Sequence, residues 1–401
     1  MTRSLQAVIL TTVAVSALSA GGTAQAQFKQ TDLASDIPGL ATVTEPNLVN
    51  TWGLSHLPGS PFWMSSQGTG TASLFAVTGS TGVAPANLFP PSPPGTNFIH
   101  VPPPVSAGFP GPTGQVANSA MSSFDIGATG PALFMFANLN GTISAWNPSN
   151  VPAGNTATVE ASTPGGLFTG LAINSAGNKL YAANGAGSGS IDVFNGSFQP
   201  VTLSSTAFAT PSTIASAGLV PFNVEDIGGN VWVTYAPEGH PAQTKAALGQ
   251  GALAEFSESG AFESMSPMAA DDHLASPWGL AVAPATFGKF GGDVLVGNFS
   301  YDHSEINAFN PTTWAFEGTI SVNPGAGDSA GGLWSLTFGG GGKDGSPNVL
   351  YFTDGIDGET HGLFGAMTAV PEPSTWAMML VGFGGLALFA ARRRRAAEAI
   401  S

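Results

Sequence analysis

A chain of 401 residues with 54 glycines and 31 prolines, only 9% charged and 43% hydrophobic, suits many short strands joined by tight turns; disorder would need more charge and fewer aliphatic residues. Setting aside Arg3 and Arg392 to Arg395 from the ten basic residues, and Glu372 and Glu398 from the 25 acidic ones, leaves five lysines against 23 carboxylates, which excludes nucleic acid as a partner because phosphate binding needs clustered Lys or Arg. There is no cysteine, so disulfides, thiolate metal sites and a cysteine nucleophile are excluded together.

Residues 1–26 begin with Arg3, run through the apolar stretch Leu5 to Leu18 and finish Ala24-Gln25-Ala26. A charge, an apolar run and a small-residue cleavage site in that order predict a signal peptide cut after Ala26, with the mature chain starting at Gln27.

From there to residue 368 one unit recurs, clearest at SPWGLAVAPATFGKFGGDVLVGNFSYDHSEINAFN (276–310). First strands read TWGLSH (51–56), TGQVAN (113–118), TGLAIN (169–174), FNVEDI (222–227), WGLAVA (278–283) and WSLTFG (334–339). Second strands are near-continuous apolar runs such as FWMSS (62–66), ALFMFAN (132–138), DVLVGN (293–298) and NVLYFTD (348–354), the mark of strands covered on both faces. Third strands include GTISAWN (141–147), EINAFN (305–310) and HGLFGAM (361–367); fourth strands are weaker. Starting points at Trp52, Thr113, Thr169, Phe222, Trp278 and Trp334 recur with a period near 56 residues, which predicts an all-β, six-bladed β-propeller over 27–368. The sixth blade runs out of chain after Met367, so FKQTDLAS (28–35) is expected to supply its outer strand and remove the open edge. The Pro- and Gly-rich insertion Gly79 to Gly111 reads as a surface loop of blade one.

Residues 369–401 carry Pro371-Glu372-Pro373, an uncharged run Ser374 to Ala391 and the cluster Arg392-Arg393-Arg394-Arg395. As a helix the run would be about 27 Å long, enough to cross a bilayer, and the arginines would stay cytoplasmic with the body on the far side. The three parts in this order resemble the PEP-CTERM sorting signal of Gram-negative bacteria. That resemblance implies an exosortase as processing partner and transient anchoring in the inner membrane with the body periplasmic. Release to the cell surface or beyond would follow, with the exopolysaccharide of a biofilm as common company. The body, through KQTDLASDIPGLA (29–41), NTWGLS (50–55), SPWGLAVAP (276–284), FGGDVLVGNFS (290–300) and HGLFG (361–365), resembles an uncharacterised bacterial propeller family that often carries this tail. Its DVLVGN and LYFTD strands are more loosely similar to NHL-type and lactonase-like six-bladed propellers, in which Asn, Asp and Glu hold a divalent cation.

Chemistry is sparse. Gly327-Asp328-Ser329-Ala330-Gly331-Gly332 matches a nucleophile-elbow string, but an elbow needs a strand before it and a helix after it, whereas here a loop precedes the strand at Trp334. A glycine-rich turn is the expected reading. Asp272, Asn298, Asp302, Asp354, Asp357 and Glu359 all fall before first strands or after second strands, which meet on one face around the channel. They are the candidate oxygen ligands for Ca²⁺ or another divalent cation, with solvated turns as the alternative. Second strands end at Ser66, Asn138, Asn184, Tyr235, Asn298 and Asp354, polar groups expected to bond the following turn. Trp52, Trp278 and Trp334 are expected to pack rather than to stack on sugar. Together these features predict an exported, non-catalytic binding or scaffold propeller of the cell surface or matrix; the alternative is a lactonase-like or other hydrolase with a channel cation.

Overall fold

The structure is a computed structural model that describes residues 27–88, 96–102, 111–149, 155–268, 273–370 and 382–383. The expected signal peptide with Ala24 and Ala26, the Pro371-Glu372-Pro373 motif, the arginine cluster and Asp272 lie outside these residues. So does the apolar run Ser374 to Ala391 apart from Gly382 and Phe383. No described helix is long and apolar enough to cross a membrane.

Six sheets follow one another along the chain. The first contains β3 (Thr51–Ser55), β4 (Phe62–Ser66), β5 (Thr71–Thr78), β6 (Gly82–Pro85) and β7 (Phe98–His100). The second is β8 (Pro112–Ala117), β9 (Phe134–Asn138), β10 (Thr142–Trp146) and β11 (Thr158–Ser162). Blade three has β12 (Phe168–Ile173), β13 (Lys179–Asn184) and β14 (Ser190–Asn195), and among the described residues no fourth strand. Blade four is β15 (Leu219–Ile227), β16 (Asn230–Pro237), β17 (Ala252–Ser257) and β18 (Phe262–Met265). Blade five is β19 (Pro277–Val282), β20 (Val294–Asn298), β21 (Glu305–Phe309) and β22 (Phe316–Ser321). Blade six takes β23 (Leu333–Phe338), β24 (Val349–Asp354) and β25 (Leu363–Val370) from the end of the chain.

Closure is as the sequence predicts. β1 (Gln27–Ser35) lies beside β25, and β2 (Val43–Thr44) adds a short parallel strand outside it, giving the order β2-β1-β25-β24-β23. The first strands β3, β8, β12, β15, β19 and β23 contact one another in sequence, and β23 returns to β3, so the ring has no gap. The insertion expected as a loop in blade one does more than cross the surface. β6 and β7 both pair with β5 and form the outer edge of that blade, and Pro85, the one proline within these two strands, sits at the end of an edge strand, where a missing N–H is tolerated.

Each first strand carries a bulge at the same place. The pairing slips between Thr51 and Leu54, Pro112 and Gln115, Phe168 and Gly170, Pro221 and Asn223, Pro277 and Gly279, and Leu333 and Leu336. A bulge re-aims the side chain it contains. The residues within these slips include Trp52, Thr113, Thr169, Phe222, Trp278 and Trp334, the residues that set the repeat. Four of them, with Phe299, form a buried aromatic cluster on the axis.

The residue after each bulge sits where neighbouring first strands touch. A Cβ on Gly279 would meet the Trp334 carbonyl oxygen, and one on Gly53 would meet the Thr113 carbonyl oxygen. Blade four has Asn223 instead, whose Nδ2 donates to the Trp278 carbonyl at 2.9 Å, so the side chain becomes the link between blades four and five. Hydroxyls on the second strands cap the bulges. Ser65, Thr234 and Thr353 accept from the N–H of Gly53, Asn223 and Ser335, and Ser65 and Thr353 donate onward to the Thr113 and Trp52 carbonyls of the next blade.

The remaining core follows the blade interfaces. Six further clusters of buried apolar side chains each join two neighbouring blades. This is why the second strands are apolar at consecutive positions: one residue faces the preceding blade and the next faces the following one. Every residue of FMFAN in β9 and of VLYFTD in β24 is buried. Each large side chain so covered contributes about 1.5–3 kcal/mol.

Candidate functional site

Two polar regions lie on the axis, separated by the aromatic cluster. The first is on the face where the first strands begin. After β24 the chain enters the short helix Ile356–Glu359, in which Asp357, Gly358 and Glu359 all adopt left-handed backbone, with φ of 53°, 62° and 67°. Such backbone costs about 1–2 kcal/mol for each non-glycine residue and persists only where other bonds hold it. Here Ser329 holds it from one side, donating to Asp357 Oδ1 through its N–H at 2.7 Å and its Oγ at 3.0 Å.

Glu359 holds it from the other side. Its Oε1 accepts from Asn50 Nδ2 at 3.0 Å, and its Oε2 accepts from Tyr301 Oη at 2.8 Å and pairs with His240 Nε2. Loops of blades four, five, six and one thereby meet at one carboxylate. The hydrogen bond to Glu359 raises the His240 imidazole above its ordinary range, with desolvation opposing, and desolvation followed by the Glu359 charge raises the Tyr301 phenol. Directly beneath, Trp334 Nε1 donates to Asn50 Oδ1 at 3.0 Å and the Trp52 indole stacks on that of Trp334.

The structure distributes five of the six candidate cation ligands, Asp272 lying outside the described residues. Asn298 spends its amide on the preceding turn, with Oδ1 accepting from the Ala275 N–H at 3.0 Å and Nδ2 donating to the His273 carbonyl at 2.9 Å. Asn184 serves both turns, accepting from the Leu167 N–H before β12 and from the Ala186 N–H of the turn that follows β13. Asp302 is exposed on the helical turn Tyr301–His303. Asp357 and Glu359 are engaged as described. Asp354 is buried, its Oδ1 has no partner, and desolvation pushes its carboxyl up to about 7 against the opposing bond from the Gly355 N–H. Among the described residues no three His, Asp or Glu groups converge as a cation site. The GDSAGG string is a loop: Ser329 is exposed, and it is an aspartate that its Oγ contacts. Trp52, Trp278 and Trp334 are buried and pack against one another on the axis, where their blades meet.

The second polar region is a cavity of about 250 Å³ on the axis, toward the ends of the first strands. All six first strands line it, Trp278 among them, with Ser55, Gln115, Glu225, Asp226, Ser335 and Thr337 as its polar groups and His56 beside β3. Desolvation, assisted by the neighbouring Asp226 and opposed by Asn223, pushes the Glu225 carboxyl up to about 8. His56 Nδ1 pairs with the buried Asp344 carboxylate at 2.9 Å. None of these residues stood out in sequence except as a departure: FNVEDI and TGQVAN place Glu225 and Gln115 within strands that are otherwise apolar.

A closed ring of six four-stranded-type blades defines the class: the body is a six-bladed β-propeller. Residues 369–395 match the PEP-CTERM protein-sorting motif, the substrate signal for exosortase processing and export to the cell surface. No curated protein matches the chain. Among solved structures, a protein of unknown function from Bacteroides thetaiotaomicron is similar at TM-score 0.50 and 11% identity, over 86% of this chain and 77% of that one. A gluconolactonase from Xanthomonas campestris is similar over 64% of this chain and 85% of its own, with 16% identity and TM-score 0.37. A luciferin-regenerating enzyme is similar over 81% and 92%, with 10% identity and TM-score 0.46. At these identities the likeness concerns the fold.

Proposed function

We propose that the chain is a secreted propeller, anchored transiently in the inner membrane with its body periplasmic and then delivered to the cell surface, where it serves as a non-catalytic binding or scaffold protein of the exopolysaccharide matrix. The observation that carries this reading is the fit between the ring and its two processing points. The expected mature terminus, Gln27, is the first residue of the closing strand β1, and the sorting signal starts as β25 ends at Val370. Cutting after Ala26 and near Pro371 would therefore leave every strand of the ring in place. A rigid body that survives both cuts suits display, and an acidic surface suits solubility outside the cell.

Fractionation of cells with and without the exosortase tests the delivery. The body is expected to leave the membrane only when the exosortase is present; retention in both strains would overturn it. Binding of the purified body to extracted matrix polysaccharide tests the second half. The hydrolase alternative is separated by metal analysis with a calcium titration, since a stoichiometric ion in the channel would favour it.

A further inference from the structure

We propose that the axial cavity on the far side of the tryptophan cluster is a binding site for a protonated primary amine of about amino-sugar size. The inference rests on the reading of the body as a binding protein and names the ligand chemistry of one site on it.

The walls carry acceptors that are left over. Gln115 is only 6% exposed, and its Nε2 is fixed by the Ser55 hydroxyl at 2.9 Å and the Trp63 carbonyl, yet its Oε1 has no partner. A buried amide oxygen without a hydrogen bond costs about 1–3 kcal/mol, so a ligand that donates to it recovers that loss. The Glu225 carboxyl lines the same cavity, and its chain neighbour Asp226 brings a second carboxyl close to it. Among the described residues no lysine or arginine lines the cavity, and the imidazole of His56 is committed to Asp344. The surplus is therefore one of acceptors, and because desolvation pushes the Glu225 carboxyl up to about 8, a proton sits where an incoming cation, taking its place, would be held. An ammonium group offers three donors and the compensating charge, and bonds of this charged kind are about twice as strong as neutral ones.

Other occupants fit less well. A neutral hydroxyl would meet the acceptors without offsetting the two carboxyl groups. A bare metal ion would be held best by several charged or imidazole ligands at one point, and no three His, Asp or Glu groups converge among the described residues. The cavity also has apolar walls, Leu54, Leu171 and Trp278, which give a carbon frame something to lie against.

Calorimetric titration of the mature body at neutral pH with glucosamine, 1,4-diaminobutane and N-acetylglucosamine tests the site. At least one of the two amines is expected to saturate one site per chain, while the acetylated sugar, which has lost the charge, binds at least about tenfold more weakly. Saturation by glucosamine alone would assign a sugar frame, and by the diamine alone an aliphatic one. Glu225→Gln keeps the shape and is expected to weaken amine binding by about tenfold or more; Gln115→Met removes the orphan acceptor and should weaken it as well, with thermal unfolding confirming that both variants fold. No saturation up to about 10 mM, equal binding of the acetylated sugar, or amine binding indifferent to Glu225→Gln would overturn the proposal. If matrix polysaccharide binds while the amines do not, the cavity assignment falls and the display reading stands. If the amines bind while the matrix does not, the reverse holds.

Discussion

The indoles of Trp52 and Trp334 stack with their centroids 3.5 Å apart and 19° between their planes, the first residue of the repeat in blade one lying on its counterpart in blade six. Trp278 meets both edge-on, at 6.2 Å and 5.6 Å. The three tryptophans thus close the axis where the two ends of the chain are brought together.

Trp334→Ala is expected to destabilise the body by about 3–5 kcal/mol, because it empties a buried site and leaves Asn50 Oδ1 without its donor. Trp334→Phe should cost less, since an aromatic ring remains in the stack, though the indole N–H and part of the ring volume are lost. Urea unfolding followed by tryptophan fluorescence measures both; equal stability of wild type and the alanine variant would contradict the axial role.

Replacing Gly279 with alanine places a methyl group against the Trp334 carbonyl oxygen and Leu336, in the contact between blades five and six. Neither side is a free chain end that can yield, so the expected loss is about 1–3 kcal/mol. Alanine at Gly292, where nothing lies within reach but φ is 94°, is a control for backbone strain alone. A smaller effect at Gly279 than at Gly292 would show that the blades are not in close contact there.

Asp354 makes stability fall as pH rises. Its folded carboxyl titrates near 7 against an ordinary 3.8, so between those values the folded state holds a proton that the unfolded state has released. The contribution is full below about pH 4 and lost by about pH 7, and the whole difference is worth roughly 4 kcal/mol. Asp354→Asn is therefore expected to stabilise the body at about pH 8 and to have little effect at about pH 4. It would also place at the end of β24 the residue that blade five has as Asn298. Thermal midpoints of the two proteins across that range check it; parallel pH curves would rule it out.

Removing residues up to 40 deletes the closing strand and with it Leu33 and Ala34, both fully buried between blades six and one. The truncated body should lose several kcal/mol and associate through the exposed edge of β25, since an unpaired strand is a template for another chain. Size-exclusion chromatography with urea unfolding reads both effects, and a monomer of unchanged stability would refute the closure.

The imidazole of His240 ties the β16–β17 loop to Glu359. Its pKa is raised in the fold, so the bond is fully present below the ordinary histidine value and weakens as pH rises through the raised one. Hydrogen exchange in residues 238–247 is expected to accelerate on that rise, and His240→Ala should abolish the pH dependence.

Periodicity alone was enough for the number of blades, the identity of the repeat and the place of the orphan strand. A strand buried on both faces must be apolar at consecutive positions, and a chain that ends mid-blade must borrow its last strand. The sorting signal was legible for a similar reason, being a linear string read by another protein. Only the tertiary structure decided where the axial side chains point, because that depends on six bulges whose effect exists only once neighbouring strands pair. The bulges turn Trp52, Trp278 and Trp334 inward and bring Glu225 and Gln115 from different blades to one cavity. In sequence those two cavity residues are more than a hundred positions apart, and nothing local marks them as neighbours.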